Sequence, residues 1–492
     1  MNLVKGAWLS RDPVNRRTFL TQMGVGLVAV AGGGDVIRIL LTREHKPSQP
    51  AGSNTNDLVP HGNGRPDGVA HVPWDISPTE PGYASLRQLY SLEPQNLTLA
   101  QETTRQAVLA KMQADVAKHP PVVHPGDQTH ADYSPTQEWF DDAGELVLSW
   151  LCCYSVNPTQ SSVFKSVAAL NPHAVFMLGD NGYYDGTIRL NPGVRPPLYF
   201  TPRTEDETAL LESYVTNSFL QIARGANFST LKAKTKIYAV QDDHDYMADG
   251  QSLFAIDPAT QDVVLAQHSP SLEPARRAFG RVFTQVGEYP TPTYFSMDIG
   301  GGVQVTSLNG REYAYHHKYD AVYKNRSFPA FLGPNQWAWF KDVVDKTSNN
   351  NHVIVLPVSP TFSRGPAGGN QISQTSRDLF YKFLNSYTNK KFAVVTGDRH
   401  AAGIAQFGNV TELLAGPSGI NKFHPVNLSD APVADRLWSN GTNTADPGKE
   451  TLAFGVLRLT SSGRLTAEFR RSIDGSTIAT PYDNHNGRVR IW

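Results

Sequence analysis

Apolar positions along the chain fall into two regimes. Before residue 145 they are sparse or helically spaced: Leu86 and Leu89, then Ala107, Val108, Leu109, Met112 and Val116, place one or two amphipathic helices within residues 85–119. After residue 145, short β-branched or apolar runs alternate with stretches of helical period. The runs at 146–153, 174–178, 235–240, 294–299, 303–308, 352–356 and 392–396 predict strands; those at 161–170, 272–283, 335–345 and 373–386 predict helices. Two more strands, 452–460 and 465–471, flank the turn Ser461-Ser462-Gly463. Strands alternating with helices predict an α/β layered fold whose ligands bind beyond the carboxyl ends of the strands. Residues 43–82, dense in Pro, Gly, Asn, Ser and Asp and without period, read as a linker or surface loop. The long Pro/Gly-rich loops 189–203 and 363–374 are of the kind that shapes pockets.

Composition narrows the function classes. Apolar residues make up 40% of the 492, enough for a large core and against wholesale disorder. With 44 Lys+Arg against 45 Asp+Glu, the net charge is 44 − 45 = −1, which gives no electrostatic case for nucleic acid or an anionic membrane surface. The two cysteines, Cys152 and Cys153, are adjacent, which excludes a disulfide framework.

Chemistry collects at strand ends. The run 174–178 exits into Gly179-Asp180-Asn181-Gly182-Tyr183-Tyr184-Asp185, the run 235–240 into Gln241-Asp242-Asp243-His244-Asp245, and the run 392–396 into Gly397-Asp398-Arg399-His400, while the first strand ends at Cys152-Cys153. Four strands of one sheet would thereby converge oxygen, nitrogen and sulfur donors on a dinuclear metal site. A solvated turn is the alternative for any one cluster, since Asp and Gly favour turns; four clusters together point to the metal. Neighbouring strand residues face opposite ways, so Cys153 is expected to face the site and Cys152 to pack as a small buried hydrophobe.

These segments resemble the alkaline phosphatase D (PhoD-like) branch of the calcineurin-type metallophosphoesterases. Gly179-Asp180-x-x-Tyr183 is similar to its Gly-Asp-x-x-Tyr motif, Asp242-Asp243-His244-Asp245 to its Asp-Asp-His-Asp motif, Gly397-Asp398-Arg399-His400 to its Gly-Asp-x-His motif, and 332–340 to its Leu-Gly-x-x-Gln-x-x-Trp helix start. The resemblance implies a layered metallophosphoesterase-like β-sandwich flanked by helices, spanning residues 145–492, behind a helical, loop-rich N-terminal extension at 85–144. It implies ferric iron held by Cys153, Asp180 and Tyr183, with Asp180 bridging to calcium or another divalent ion on Asp243 and Asp398. His400 is then a ligand or near neighbour, and His244 a phosphate contact or proton donor. A thiolate, a phenolate and three carboxylates supply five negative charges against the +5 of one trivalent and one divalent ion, so bound phosphate needs further positive partners: His244, Arg399 and Arg311. Such metals keep the thiol and phenol deprotonated and make bound water nucleophilic near neutral pH. Arg311 and Tyr313 resemble a family segment near the substrate, with a surface role as the alternative; Trp337 and Trp339 read as core.

The chain departs from the family pattern in three places. Gln241 stands where an aromatic residue is expected, 356–360 (Leu-Pro-Val-Ser-Pro) replaces an Asn-Gln pair, and the N-terminal region lacks strand-rich patterning. The expected function is thus an exported metal-dependent phosphoric ester hydrolase acting on monoesters or diesters. The alternatives are a non-catalytic exported phosphate-binding protein on the same scaffold, or a phospholipase D-like phosphodiesterase. Export is expected from residues 1–31: basic Lys5, Arg11, Arg16 and Arg17 precede an apolar stretch from Met23 to Ala31, and 15–20 (Asn-Arg-Arg-Thr-Phe-Leu) resembles a twin-arginine signal. The expected partner is the twin-arginine machinery, the expected location periplasmic or secreted, and the 32–84 stretch a linker. The apolar patch 36–41, interrupted nearby by Asp35 and Arg38, gives no stable transmembrane span unless the signal is retained.

Overall fold

The computed structural model describes residues 97–128, 139–154, 162–191, 198–246, 269–283, 294–311, 327–362, 372, 374–419, 436–439, 452–483 and 487–492, with short strands at 26–30, 38–42, 59–60, 254–256 and 263–265. Near the N-terminus, β1 (Gly26–Val30) pairs antiparallel with β2 (Arg38–Thr42). β3 (Val59–Pro60) sits at the edge of a larger sheet, a position that tolerates proline's missing N–H. The twin-arginine motif lies outside the described residues. No described helix is long and apolar enough to cross a membrane.

Within the described part of the predicted amphipathic segment lies the helix α1 (Leu99–Lys118), while Leu86 and Leu89 lie outside the described residues. Its start is fixed by a capping box: the Gln101 N–H donates to Thr98 Oγ1 (3.3 Å) and the Thr98 N–H to Gln101 Oε1 (2.9 Å). Val108 and Met112 bury its inner face in the main core, and buried Arg105 pairs with Glu207.

The first sheet is built on three parallel strands, β4 (Glu145–Leu151), β5 (Ala174–Leu178) and β6 (Lys236–Val240). They are joined through α2 (Ser162–Ala168) and the pair α3 (Glu205–Ala223) and α4 (Ala226–Lys232). Beyond β6 come the one-turn helix α5 (Asp243–Tyr246), the hairpin of β7 (Phe254–Ile256) and β8 (Val263–Leu265), and α6 (Ser269–Phe283). The second sheet then forms from β9 (Phe295–Asp298), β10 (Val303–Ser307), β11 (Asn351–Val358), β12 (Lys391–Gly397), β13 (Gly403–Phe407), β14 (Val410–Leu414) and β15 (Arg436–Ser439), with α7 (Gly333–Lys346) and α8 (Gln374–Asn385) as crossovers. Its order is β15-β13-β14-β12-β11-β10-β9-β3, and β10, β11, β12 and β14 run parallel. The chain returns to the first sheet with β16 (Ala453–Thr460), β17 (Leu465–Arg471), β18 (Thr477–Ile478) and β19 (Val489–Arg490), completing the order β18-β17-β16-β4-β5-β6 with β19 on β17.

Side-chain alternation turns this topology into layers. Leu146, Leu148 and Trp150 of β4 join Phe176, Leu178, Val305, Val353 and Val395 in a core between the sheets. The intervening Val147 and Leu151 face the opposite way, into a core shared with α2, α3 and α6. Likewise Ile354, Leu356 and Val394 pack outward against Trp337 and Phe340 of α7 and Phe380 of α8. The result is the layered sandwich flanked by helices, and Trp337 and Trp339 are buried within it, as expected for core residues.

Two expectations are corrected. β4 ends at Leu151, so both cysteines lie just past the strand. The four ligand-bearing strands belong to two sheets: β4, β5 and β6 to the first, β12 to the second. Sequence alternation gives each strand's inner face without saying which sheet it joins. The helices α3 and α4 and the strands β13 to β15 are additions to the predicted elements.

His352 of β11 is fully buried and stacks on Phe392 with ring centroids 5.0 Å apart. Burial first, then the nearby Lys390 ammonium, pushes its pKa down to about 3. Its neutral form is therefore favoured in the fold and its charged form in the unfolded chain. Full stability is present above the unfolded value of 6.5 and is lost as pH falls toward 3, by about 1.4 kcal/mol per pH unit from this residue. His352→Phe should flatten the melting-temperature profile between pH 6 and 4, measured by calorimetry; an unchanged acid slope would contradict this.

Candidate metal centre

Four backbone exits bring the site together, and each is locally unusual. Among the described residues five non-glycine positions have positive φ, and four of them are Cys153 (55°), Asp180 (54°), Asp398 (66°) and His400 (49°). L-residues rarely adopt this region, and such strain concentrates at functional sites. The glycines before two of them are sterically required. A Cβ at Gly179, where φ is +90°, would sit 2.2 Å from Asp242 Cβ, and one at Gly397 would sit 2.8 Å from Cys152 Cβ. The Gly-Asp pairs thus allow neighbouring chain segments to approach closely enough for their carboxylates to meet.

Asp180 is the hub. Its Oδ2 accepts from Tyr183 Oη at 2.7 Å and from Cys153 Sγ at 3.2 Å. Donor atoms of Cys153, Asp180 and His400 lie within 4.8 Å of one another, as do those of Asp180, Asp242, Asp243 and Asp398, and those of Asp180, Asp243 and His244. All nine sequence-predicted site residues therefore gather at one place, around Asp180 or, for Arg311 and Arg399, around Asp398. Cys152 turns away, its Sγ donating to the Ala415 carbonyl at 3.0 Å. Tyr313 lies outside the described residues.

Four residues without an assigned role prove structural to the site. Asp242 joins the carboxylate cluster and receives the Arg311 Nε–H. Asp185 Oδ1 holds His244 Nδ1 at 3.0 Å. Asn181 and Asp245 tie the two motif loops together: the Asn181 N–H and Nδ2 donate to Asp245 at 2.8 and 2.9 Å, and the Asp242 N–H donates to it at 3.0 Å. All four stood within the quoted motifs; what the sequence withheld was their pairing. Gln336, from the predicted helix start, clamps Asn309 by accepting its N–H (2.7 Å) and donating to its carbonyl (2.8 Å), and Asn309 Oδ1 accepts the Arg311 N–H (3.1 Å). Arg311 is thus buried and anchored, which rules out a surface role.

The electrostatics call for cations. Burial, with Asp243 and Asp398 adding to it and His244 opposing, pushes the Asp180 carboxyl up to about 7. Burial likewise holds the Cys153 thiol and Tyr183 phenol well above their ordinary values, with nearby acidic groups adding to it. His244 goes up despite its burial, because Asp185, Asp180 and Asp243 surround it. Asp180 Oδ1 and Asp242 Oδ2 are buried without a hydrogen-bond partner among the described residues, an expensive arrangement unless an ion takes them up. The donor set fits metal ions: thiol, phenol and imidazole on one side of Asp180, hard carboxylates on the other. Cys153, Asp180, Asp243 and Asp398 are buried, whereas Tyr183 and His244 are partly open and mark the mouth. Beside Tyr183 lies a cavity of about 230 Å³, lined also by Asp115, Tyr214 and Ser218.

Among solved structures, that of PhoD is similar at 12% identity over 72% of each chain, with a TM-score of 0.50. The purple acid phosphatase PPD1 from yellow lupin (Lupinus luteus) seeds is similar at 10% identity, covering 70% of this chain and 54% of that one, with a TM-score of 0.43. A dimetal phosphatase from Danio rerio is similar at 11% identity, covering 68% and 98%, with a TM-score of 0.35. No curated protein sequence matches the chain. The likeness to PhoD shows a shared fold. Two packed sheets whose strand exits gather carboxylates, imidazoles, a thiol and a phenol define a metallophosphatase. The PhoD-like phosphatase model matches residues 148–440, more than half of the chain, and the protein belongs to that family.

Proposed function

We propose that the protein is an exported phosphoric ester hydrolase that holds iron and calcium, or another divalent ion, in a dinuclear site within a 145–492 catalytic domain. The observation that carries this reading is Asp180, whose carboxylate is shared between the Cys153, Tyr183 and His400 side and the Asp242, Asp243 and Asp398 side. When bound, such metals supply an acidic water as nucleophile and neutralise charge on the ester. His244, held through Nδ1 by Asp185 and partly open to solvent, protonates the leaving oxygen. Arg399, set beside Asp398 at 3.1 Å, adds positive charge for the phosphoryl oxygens. The export part of the reading is supported by the Arg16-Arg17 motif.

The test is hydrolysis of a panel of phosphate monoesters and diesters before and after dialysis against a strong chelator. Turnover that disappears on chelation and returns with iron and calcium is expected. Saturable phosphate binding with no product from any ester would favour the non-catalytic alternative.

A further inference from the structure

Arg311 occupies an unusual position for a residue expected to meet phosphate. Its side chain is 2% exposed, its Nε donates to Asp242 Oδ1, and its Nη2 lies 3.2 Å from Asp398 Oδ2 and 3.8 Å from Asp243 Oδ1. These three carboxylates, with Asp180, form the hard-oxygen cluster whose donor atoms lie within 4.8 Å of one another. One guanidinium therefore bridges groups carried on the first sheet, Asp242 and Asp243, and on the second, Asp398. Its backbone is fixed: the Asn309 clamp holds the loop, and a Cβ at Gly310 would meet Leu356 Cδ1 at 2.5 Å, which keeps the loop tight against β11. Arg311 and Arg399 pair with the Asp242, Asp243 and Asp398 carboxylates, so the cluster is attractive to a cation yet already partly neutralised.

We infer that the Arg311 guanidinium is a built-in cation that competes with the second metal for Asp242, Asp243 and Asp398, so that the two metal positions load unequally. The inference rests on the metal reading proposed above and concerns the second position alone. Among the described residues Arg311 forms no ion pair with Cys153 or Asp180, and that side binds its metal tightly; the carboxylate side binds a divalent ion weakly, because the ion must displace a charge-assisted hydrogen bond and a buried ion pair.

Calcium titration of the protein as purified, by calorimetry and by equilibrium dialysis with elemental counting, tests this. Arg311→Met should bind calcium at least about tenfold more tightly than the unchanged protein, because the like charge is gone. Arg311→Lys should stay near the unchanged protein. Arg311→Gln carries the same expectation as Met and retains a donor for Asp242 if Met does not fold, with circular dichroism reporting the fold. Equal calcium affinity in the unchanged, Met and Gln forms overturns the competition while leaving the metal site standing. Calcium bound by none of them overturns both the competition and the second position. Absence of the first metal as well would overturn the metal reading itself.

Discussion

Asp180→Asn is expected to lower phosphate ester hydrolysis by about a thousandfold or more and to strip bound metal, while leaving the protein folded. The size follows from position. Asp180 is the one carboxylate common to all three clusters of potential donors, and it orders Cys153 Sγ and Tyr183 Oη through its own Oδ2. A carboxamide offers the same shape without the charge, so a trivalent or divalent ion loses its shared anion. Stability should move the other way. Four buried carboxylates repel one another in the metal-free chain, and the carboxamide relieves part of that repulsion, so the metal-free variant should melt no lower than the metal-free parent. Activity, elemental analysis and calorimetry on the same preparation separate these effects. Retained turnover with retained metal would remove Asp180 from its central place.

The second large effect is expected at His244. His244→Gln should lower kcat by about 100- to 10,000-fold, the range of a lost general acid. The loss should depend on the ester. Alkyl esters, whose leaving oxygen needs the proton, should suffer most, and activated aryl esters least. Asp185→Asn, which removes only the partner that orients the ring 3.0 Å away, should show a smaller loss with the same ester dependence. A uniform loss across esters would assign His244 to phosphate binding instead of proton transfer.

Much of this site was legible because its chemistry sits where the strand pattern ends. A strand exit delivering Gly-Asp is visible in sequence, and the geometry explains it: Gly179 and Gly397 leave room for Asp242 and Cys152, and the following aspartates turn through positive φ. The cysteine facing was legible too, although the strand stops at Leu151, just before the pair. What was not legible was partnership across long separations. Nothing in the local pattern says that Asp398 arrives from a different sheet, that Asp185 orients His244, or that Arg311 reaches three carboxylates. α3 had a readable start, since Thr204 accepts the Glu207 N–H at 3.1 Å ahead of an acidic first turn, but it follows a Pro-rich loop that masks its period. The strands β13 to β15 are only four or five residues long and carry polar residues such as Gln406, Thr411 and Glu412, so pairing decides them more than propensity.

The most direct test of the central claim is elemental analysis of the protein purified without chelator, in parallel with Asp180→Asn. About one tightly held transition metal per chain in the parent, lost in the variant, is the result that a thiol, phenol and imidazole gathered around one shared carboxylate predict. A folded, active parent containing no metal would contradict it.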